Sequence, residues 1–147
     1  GSEIIVNRAS EDVEAEVDPR RVERIIRNLV NNAIEHGEGG PVTIDIEGNE
    51  NAVSVLVSDE GVGLRPGESA LVFNRFWRAD PARARQTGGT GLGLAISLED
   101  ARLHHGWLQA WGAPGEGCRF RLTLPRRFEV PIVAAPLPLN PPGDDSE

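Results

Sequence analysis

Between Val22 and Ile34 the chain places Val22, Ile25, Ile26, Leu29, Val30, Ala33 and Ile34 at i, i+3, i+4 and i+7 spacing. That stripe predicts an amphipathic helix. Asp18-Pro19 supplies its start, with Asp as N-cap and Pro at the first helical position, and Gly37 supplies its end. Upstream, Ile4 to Val6 and Val13 to Val17 read as short strands. Downstream, Val42 to Ile46 and Val53 to Val57 alternate apolar with polar residues around Gly48-Asn49-Glu50-Asn51, the pattern of a β-hairpin. A second helix is predicted from Gly91 to His104, carrying Leu94, Ile96, Leu98, Ala101 and Leu103. Trp107 to Trp111 and Arg119 to Leu124 form a last strand pair across the turn Gly112 to Gly117. Residues 65–90 read as loop, interrupted by an apolar-aromatic patch from Val72 to Trp77. This order predicts an α+β fold: a two-layer α/β sandwich, one mixed sheet with helices packed on one face.

Beyond Pro125 the pattern stops. Residues 131–143 are rich in Pro and the chain ends Asp144-Asp145-Ser146-Glu147, so 128–147 reads as a Pro-rich acidic tail without a core of its own, disordered. Residues 3–127 read as one domain, and Gly1-Ser2 as a cloning scar. No Met occurs among the 147 residues, which reads as a piece excised from a longer protein. No apolar run reaches the length of a membrane span.

Charge narrows the function. With 15 basic and 23 acidic residues the formal charge is −8, unsuited to nucleic acid, whose phosphates need clustered cations. Every basic residue other than His is Arg; there is no Lys. A single cysteine, Cys118, excludes an intramolecular disulfide and a Cys-based metal cluster, and reads as a small buried residue near a strand end.

Four segments carry candidate chemistry. Asn28 and Asn32 lie four apart on the first helix and share a face. Their amide oxygens are hard, neutral ligands suited to Mg²⁺, although an Asn on a helix flank is more often simply solvated. Asp59-Glu60-Gly61-Val62-Gly63 follows a strand. An ionised Asp only accepts hydrogen bonds, so it can take an exocyclic amine such as adenine's, and the glycines let backbone approach a flat base. A plain Asp-x-Gly turn has the same letters. Gly88-Gly89-Thr90-Gly91-Leu92-Gly93-Leu94 opens the second helix and exposes successive N–H groups at its positive end, a phosphate-binding arrangement. It is not a P-loop or a protein-kinase Gly-rich loop, since both need a lysine. It is not a Rossmann turn, since it follows a polar loop. Between the glycine segments stand Arg75, Arg78, Arg83 and Arg85, read as a lid over an anionic ligand, with Val72, Phe73, Phe76 and Trp77 as its apolar anchor.

Taken together and in this order, these segments resemble the catalytic domain of sensor histidine kinases. Asn28 to His36 resembles its N box, Asp59 to Gly63 its G1 box, Val72 to Arg78 its F box and Gly89 to Leu94 its G2 box; His105-Gly106 and Gly115 to Pro125 also match. The likeness spans roughly residues 4–125, and Ile96 to Trp111 looks most like the actinobacterial MtrB-type members. It implies a Bergerat (GHKL) ATP fold with a flexible ATP lid. By it, Asn32 binds Mg²⁺ and Asn28 supports it. Asp59 reads the adenine amine, Gly61 and Gly63 line the base pocket, Gly89, Gly91 and Gly93 hold the phosphates and the lid hinge, and Thr90, Leu92 and Leu94 belong to the nucleotide site. Arg78 contacts the γ-phosphate, His36 reaches the phosphates and Phe76 belongs to the nucleotide site. Asn28, Asn32 and Arg78 would be the catalytic set.

The resemblance also implies partners. ATP and Mg²⁺ are the cofactors, a histidine on a separate dimerisation domain is the phosphoacceptor, and a response regulator lies beyond it. The parent would be a membrane-anchored homodimer with this part in the cytoplasm. One departure is Glu35, where the family often carries Lys or Arg. Anti-sigma-factor serine kinases and GHKL ATPases share the fold, but they place a Glu general base where Asn28 stands, and Asn cannot take a proton. A non-enzymatic nucleotide-binding or docking module is the remaining alternative.

Overall fold

The computed structural model describes residues 3–8, 13–74, 93–128 and 130–141. Five strands form one mixed sheet: β1 (Ile4–Arg8), β2 (Val42–Gly48), β3 (Ala52–Ser58), β4 (Trp107–Gly112) and β5 (Cys118–Pro125), in the order β1-β2-β3-β5-β4. β1 runs parallel to β2, and every other pairing is antiparallel. Among the described residues, two helices, α1 (Pro19–His36) and α2 (Gly93–Leu103), cover one face. Glu68–Ala70 adds a short 3-10 turn.

Local chemistry explains the element ends. Asp18 caps α1, its Oδ1 accepting from the N–H groups of Arg20 and Arg21 at 3.0 and 3.4 Å. Asn49 Oδ1 accepts from the N–H groups of Asn51 and Ala52 and closes the β2–β3 hairpin. The α1 stripe buries Ile25, Leu29 and Ala33 against Val55, Val57, Phe120 and Leu122 of the sheet and Ala101 of α2. Within α2, Leu94, Leu98 and Ala101 face this core, whereas Ile96 and Leu103 stay exposed.

A polar clasp also joins the helices. Asp100 of α2 is buried, and its carboxylate accepts from Arg21 and Arg24 of α1 at 2.7–2.9 Å. His104 Nε2 accepts from the Asp18 N–H at 3.0 Å while its Nδ1 meets the Asp100 carbonyl at 2.7 Å. One imidazole thereby links the start of α1 to the end of α2.

Two expectations from the sequence change. Val13 to Val17 is not a strand: among the described residues its backbone-to-backbone bond from the Glu16 N–H to the Arg126 carbonyl, helped by the Arg126 side chain donating to the Glu14 carbonyl, makes no ladder. Nor is the Pro-rich stretch a free tail over residues 130–141. It lies on the sheet face opposite the helices. Leu137 and Leu139 pack on Leu56 and Trp111, and Leu139 is 5% exposed. Arg121 donates to the Leu137 carbonyl at 2.9 Å, Arg119 to the Leu139 carbonyl at 3.3 Å, and Asn49 to the Ala134 carbonyl at 2.9 Å. Proline-rich backbone makes no ladder of its own, so its carbonyls are free to accept from side chains standing on a sheet.

Candidate functional site

The candidate site lies along one face of α1. Asn28, Asn32 and His36 succeed one another at four-residue steps, one helical turn each. At the near end, Asn28 Nδ2 donates to the Gly93 carbonyl at 3.2 Å and to Ser97 Oγ at 3.1 Å, both on α2. At the far end, the loop after β3 presses onto the end of α1. A methyl built on Gly61 would stand 1.8 Å from the His36 carbonyl oxygen. Asn32 sits between, half-buried. The fold therefore brings Asn28, Asn32, His36, Asp59, Gly61 and Gly93 together. Leu94 packs against the core beside them. Phe76, Arg78, Gly89, Thr90, Gly91 and Leu92 lie outside the described residues, as do Arg75, Arg83, Arg85 and Trp77.

Asp59 is the most constrained group in the site. It is 5% exposed. Its Oδ1 accepts from the N–H groups of Gly61 at 2.9 Å and Cys118 at 3.2 Å. Among the described residues its buried Oδ2 has no hydrogen-bond partner. Burial pushes its carboxyl above the ordinary aspartate value, opposed by those two N–H groups and by nearby His36. A buried carboxylate oxygen with nothing donating to it costs folding free energy. A ligand N–H would remove that cost.

In the fold the glycines have a structural task of their own. They make room for protein backbone before any base arrives. Gly63, at φ +76°, sits where a Cβ would be 1.9 Å from the Ala113 carbonyl oxygen. Gly117, at φ +74°, sits where a Cβ would be 2.0 Å from the Asp59 carbonyl oxygen. The β4–β5 turn is thereby wedged against the Asp59 loop, and the Cys118 N–H reaches Oδ1 as a result. Sequence reasoning missed Cys118 and Ser97. Cys118 contributes a backbone atom, which residue type does not advertise. Ser97 stands as an isolated hydroxyl between Ile96 and Leu98, and that was the available signal.

The Cys118 side chain is inert. Burial, then the charges of Asp59 and Glu68, push its thiol up to about 12. At pH 8 a thiol raised to about 12 is ionised to roughly one part in ten thousand, and only the thiolate is nucleophilic. Iodoacetamide at pH 8 is therefore expected to leave the folded protein unmodified and to label it fully in urea. Mass spectrometry reads both, and labelling of the folded form at a free-thiol rate contradicts this account.

The site can offer two side-chain amides to a hard cation and one orphaned carboxylate oxygen to an amine. Among the described residues no cluster of His, Cys, Asp and Glu could hold a metal alone, so a cation here would share its shell with ligand oxygens. No described helix is long and apolar enough to cross a membrane.

The family model for histidine kinase-, DNA gyrase B-, and HSP90-like ATPases matches residues 17–127. The chain is 60% identical over 141 residues to the sensor histidine kinase MtrB of Mycobacterium tuberculosis, covering 96% of this chain and 25% of that protein. It therefore spans about a quarter of the length of that relative. Among solved structures, the nucleotide-free catalytic domain of histidine kinase ThkA superposes with a TM-score of 0.74 at 28% identity, covering 86% of this chain and 80% of that one. Full-length ShkA in complex with AMPPNP superposes with a TM-score of 0.71 at 28% identity, covering 93% of this chain and 27% of that one.

Proposed function

We propose that this chain, which belongs to the histidine kinase-, DNA gyrase B-, and HSP90-like ATPase family, binds Mg²⁺-ATP and presents its γ-phosphoryl group to a histidine on a separate dimerisation domain. Its ATP-binding catalytic fold is that of sensor histidine kinases. The observation that carries the detailed reading is Asp59. Its carboxylate is held through Oδ1 and, among the described residues, left unpartnered at Oδ2, as a reader of the adenine amine requires.

The amides fit a magnesium ion. Oxygen is its preferred ligand, and Asn28 spends its two donors on α2, leaving its oxygen for a cation. Asn32 and Asn28 would hold the ion, and the ion would neutralise phosphate charge. What the chain itself supplies is position: α1 spaces the amides, the Asp59 loop fixes the base, and Gly93 with the preceding Gly89, Thr90, Gly91 and Leu92 receives the phosphates. Arg78 and His36 are further phosphate contacts in this reading, and Phe76 belongs to the nucleotide site. Catalysis then consists of orientation and charge stabilisation rather than proton abstraction. Asn28 could not serve as general base in any case.

The acceptor histidine, the response regulator and a membrane-anchored homodimeric parent with this part in the cytoplasm belong to the same proposal. The names of the sensor-kinase relatives and the AMPPNP bound to ShkA support it. The test is phosphoryl transfer in trans. The chain, mixed with labelled ATP, Mg²⁺ and the dimerisation domain of its parent kinase, is expected to label that domain and not itself. Asn32→Ala is expected to lower the labelling at least about a hundredfold, as loss of a metal ligand would. Stable label on the chain itself, or full transfer by Asn32→Ala, overturns the reading.

A further inference from the structure

Ser97 is fully buried, at 0% exposure, on the side of α2 that faces α1. A hydroxyl placed in an apolar interface weakens packing unless it is hydrogen-bonded. Its partner across the interface is the side-chain amide of Asn28, with Nδ2 to Oγ at 3.1 Å. The same Nδ2 also reaches the Gly93 carbonyl at 3.2 Å. Gly93 and Ser97 are four residues apart, so carbonyl and hydroxyl stand one turn apart on one face of α2.

This arrangement fixes which way the amide points. An amide nitrogen has two protons, and the amide oxygen has none. If Asn28 were turned over, Oδ1 would face the Gly93 carbonyl oxygen, two acceptors with no proton between them. The observed orientation gives one proton to Gly93 and one to Ser97. Both donors are then spent on α2, and Oδ1 is the amide atom left to meet a cation. Gly93 alone would set the sense of the amide but leave it free to rock about one bond. The second bond, to Ser97, removes that freedom. Gly93 leaves room for this, since even a Cβ there would stand no closer than 3.6 Å to the Asn28 amide carbon.

We infer that Ser97 is a positioning residue for the metal site: it locks the Asn28 amide so that Oδ1 is presented to the magnesium ion of bound ATP. This rests on the reading of Asn28 and Asn32 as magnesium ligands given above. Ser97 touches neither ion nor nucleotide and acts only through Asn28. Outer-shell groups that orient a ligand typically change metal affinity by roughly ten- to a hundredfold when removed.

The test is equilibrium ATP binding by calorimetry, with Mg²⁺ and in EDTA, for the wild type, Ser97→Ala, Ser97→Cys and Asn32→Ala, with thermal unfolding of each. The wild type is expected to bind ATP more tightly with Mg²⁺. Ser97→Ala is expected to lose roughly tenfold of that enhancement, with EDTA affinity within about twofold of wild type. Ser97→Cys keeps the volume but offers a weak acceptor, and is expected to behave the same way should the alanine variant unfold. A wild-type enhancement retained in both Ser97 variants overturns this inference and leaves the metal reading intact. An equal loss with Mg²⁺ and in EDTA, accompanied by a lower melting temperature, makes Ser97 a helix staple and also overturns it. Absence of any enhancement in the wild type, or its survival in Asn32→Ala, overturns the metal reading itself.

Discussion

Asp59→Asn is expected to abolish most ATP binding while leaving the fold as stable as before, or more so. The substitution is nearly isosteric. An asparagine Oδ1 can still accept from the Gly61 and Cys118 N–H groups, which hold the aspartate now. The atom that replaces the orphaned Oδ2 becomes an NH₂ group. A site that offered an acceptor to the adenine amine would then offer a donor. Two donors facing each other lose the hydrogen bond and leave both groups buried unsatisfied, together worth about 2–4 kcal/mol, or roughly 30- to 700-fold in affinity. Removing a buried charge works the other way for the fold, because the desolvation that pushes this carboxyl up no longer has to be met. Calorimetry with ATP and GTP, next to a thermal melt, separates these effects. The wild type should prefer ATP, since the guanine carbonyl would face the carboxylate, and the variant should lose that preference. ATP affinity within threefold of wild type would mean that Asp59 reads no base.

How far the residues announce this site differs from part to part. α1 was legible because its signals are local: a capping Asp, a first-turn Pro and an apolar stripe all fall within one segment. The hairpin was legible for the same reason, through Asn49. The order of the boxes singled out Asn28, Asn32, Asp59 and Gly93, although each residue taken alone had a second reading as a solvated amide or a plain turn. What was not legible is tertiary. Nothing in the sequence marks Asp100 as buried, and its partners Arg21 and Arg24 lie 79 and 76 residues away. Val13 to Val17 has a strand-like pattern but, among the described residues, meets Arg126 without forming a ladder. Residues 130–141 have the composition of a solvated tail, and composition says nothing of Arg119 and Arg121 standing on the opposite sheet face to receive them. These cases share a cause. Local pattern states what a segment can do, while its partner lies elsewhere in the chain and carries no mark of the pairing.

The glycines of the Asp59 loop show the same division and give the largest expected effect on folding. Read alone, Gly61 suggests room for a nucleotide base. In the fold, it suggests room for α1. A Cβ on it would lie 1.8 Å from the His36 carbonyl oxygen, 2.8 Å from the His36 carbonyl carbon and 2.9 Å from Gly37 Cα. All three are backbone atoms of the helix end, so no rotamer change relieves the clash. The loop must withdraw by more than an ångström, and withdrawal breaks the Gly61 N–H bond that orients Asp59. Gly61→Ala is therefore expected to cost more than about 3 kcal/mol, in the range reserved for overpacking with loss of a buried hydrogen bond. Gly39→Ala provides the contrast. It lies three residues beyond the same helix at φ +78°, with nothing within 4 Å of the added carbon. It should cost only the strain of a left-handed alanine, about 1 kcal/mol. Urea denaturation of the two variants measures the difference directly. Should Gly61→Ala prove no less stable than Gly39→Ala and still bind ATP, the loop does not rest on the helix end. The contact that joins the Asp59 loop to the end of α1 would then be lost, and with it the geometry on which the proposed site of Asn28, Asn32 and Asp59 depends.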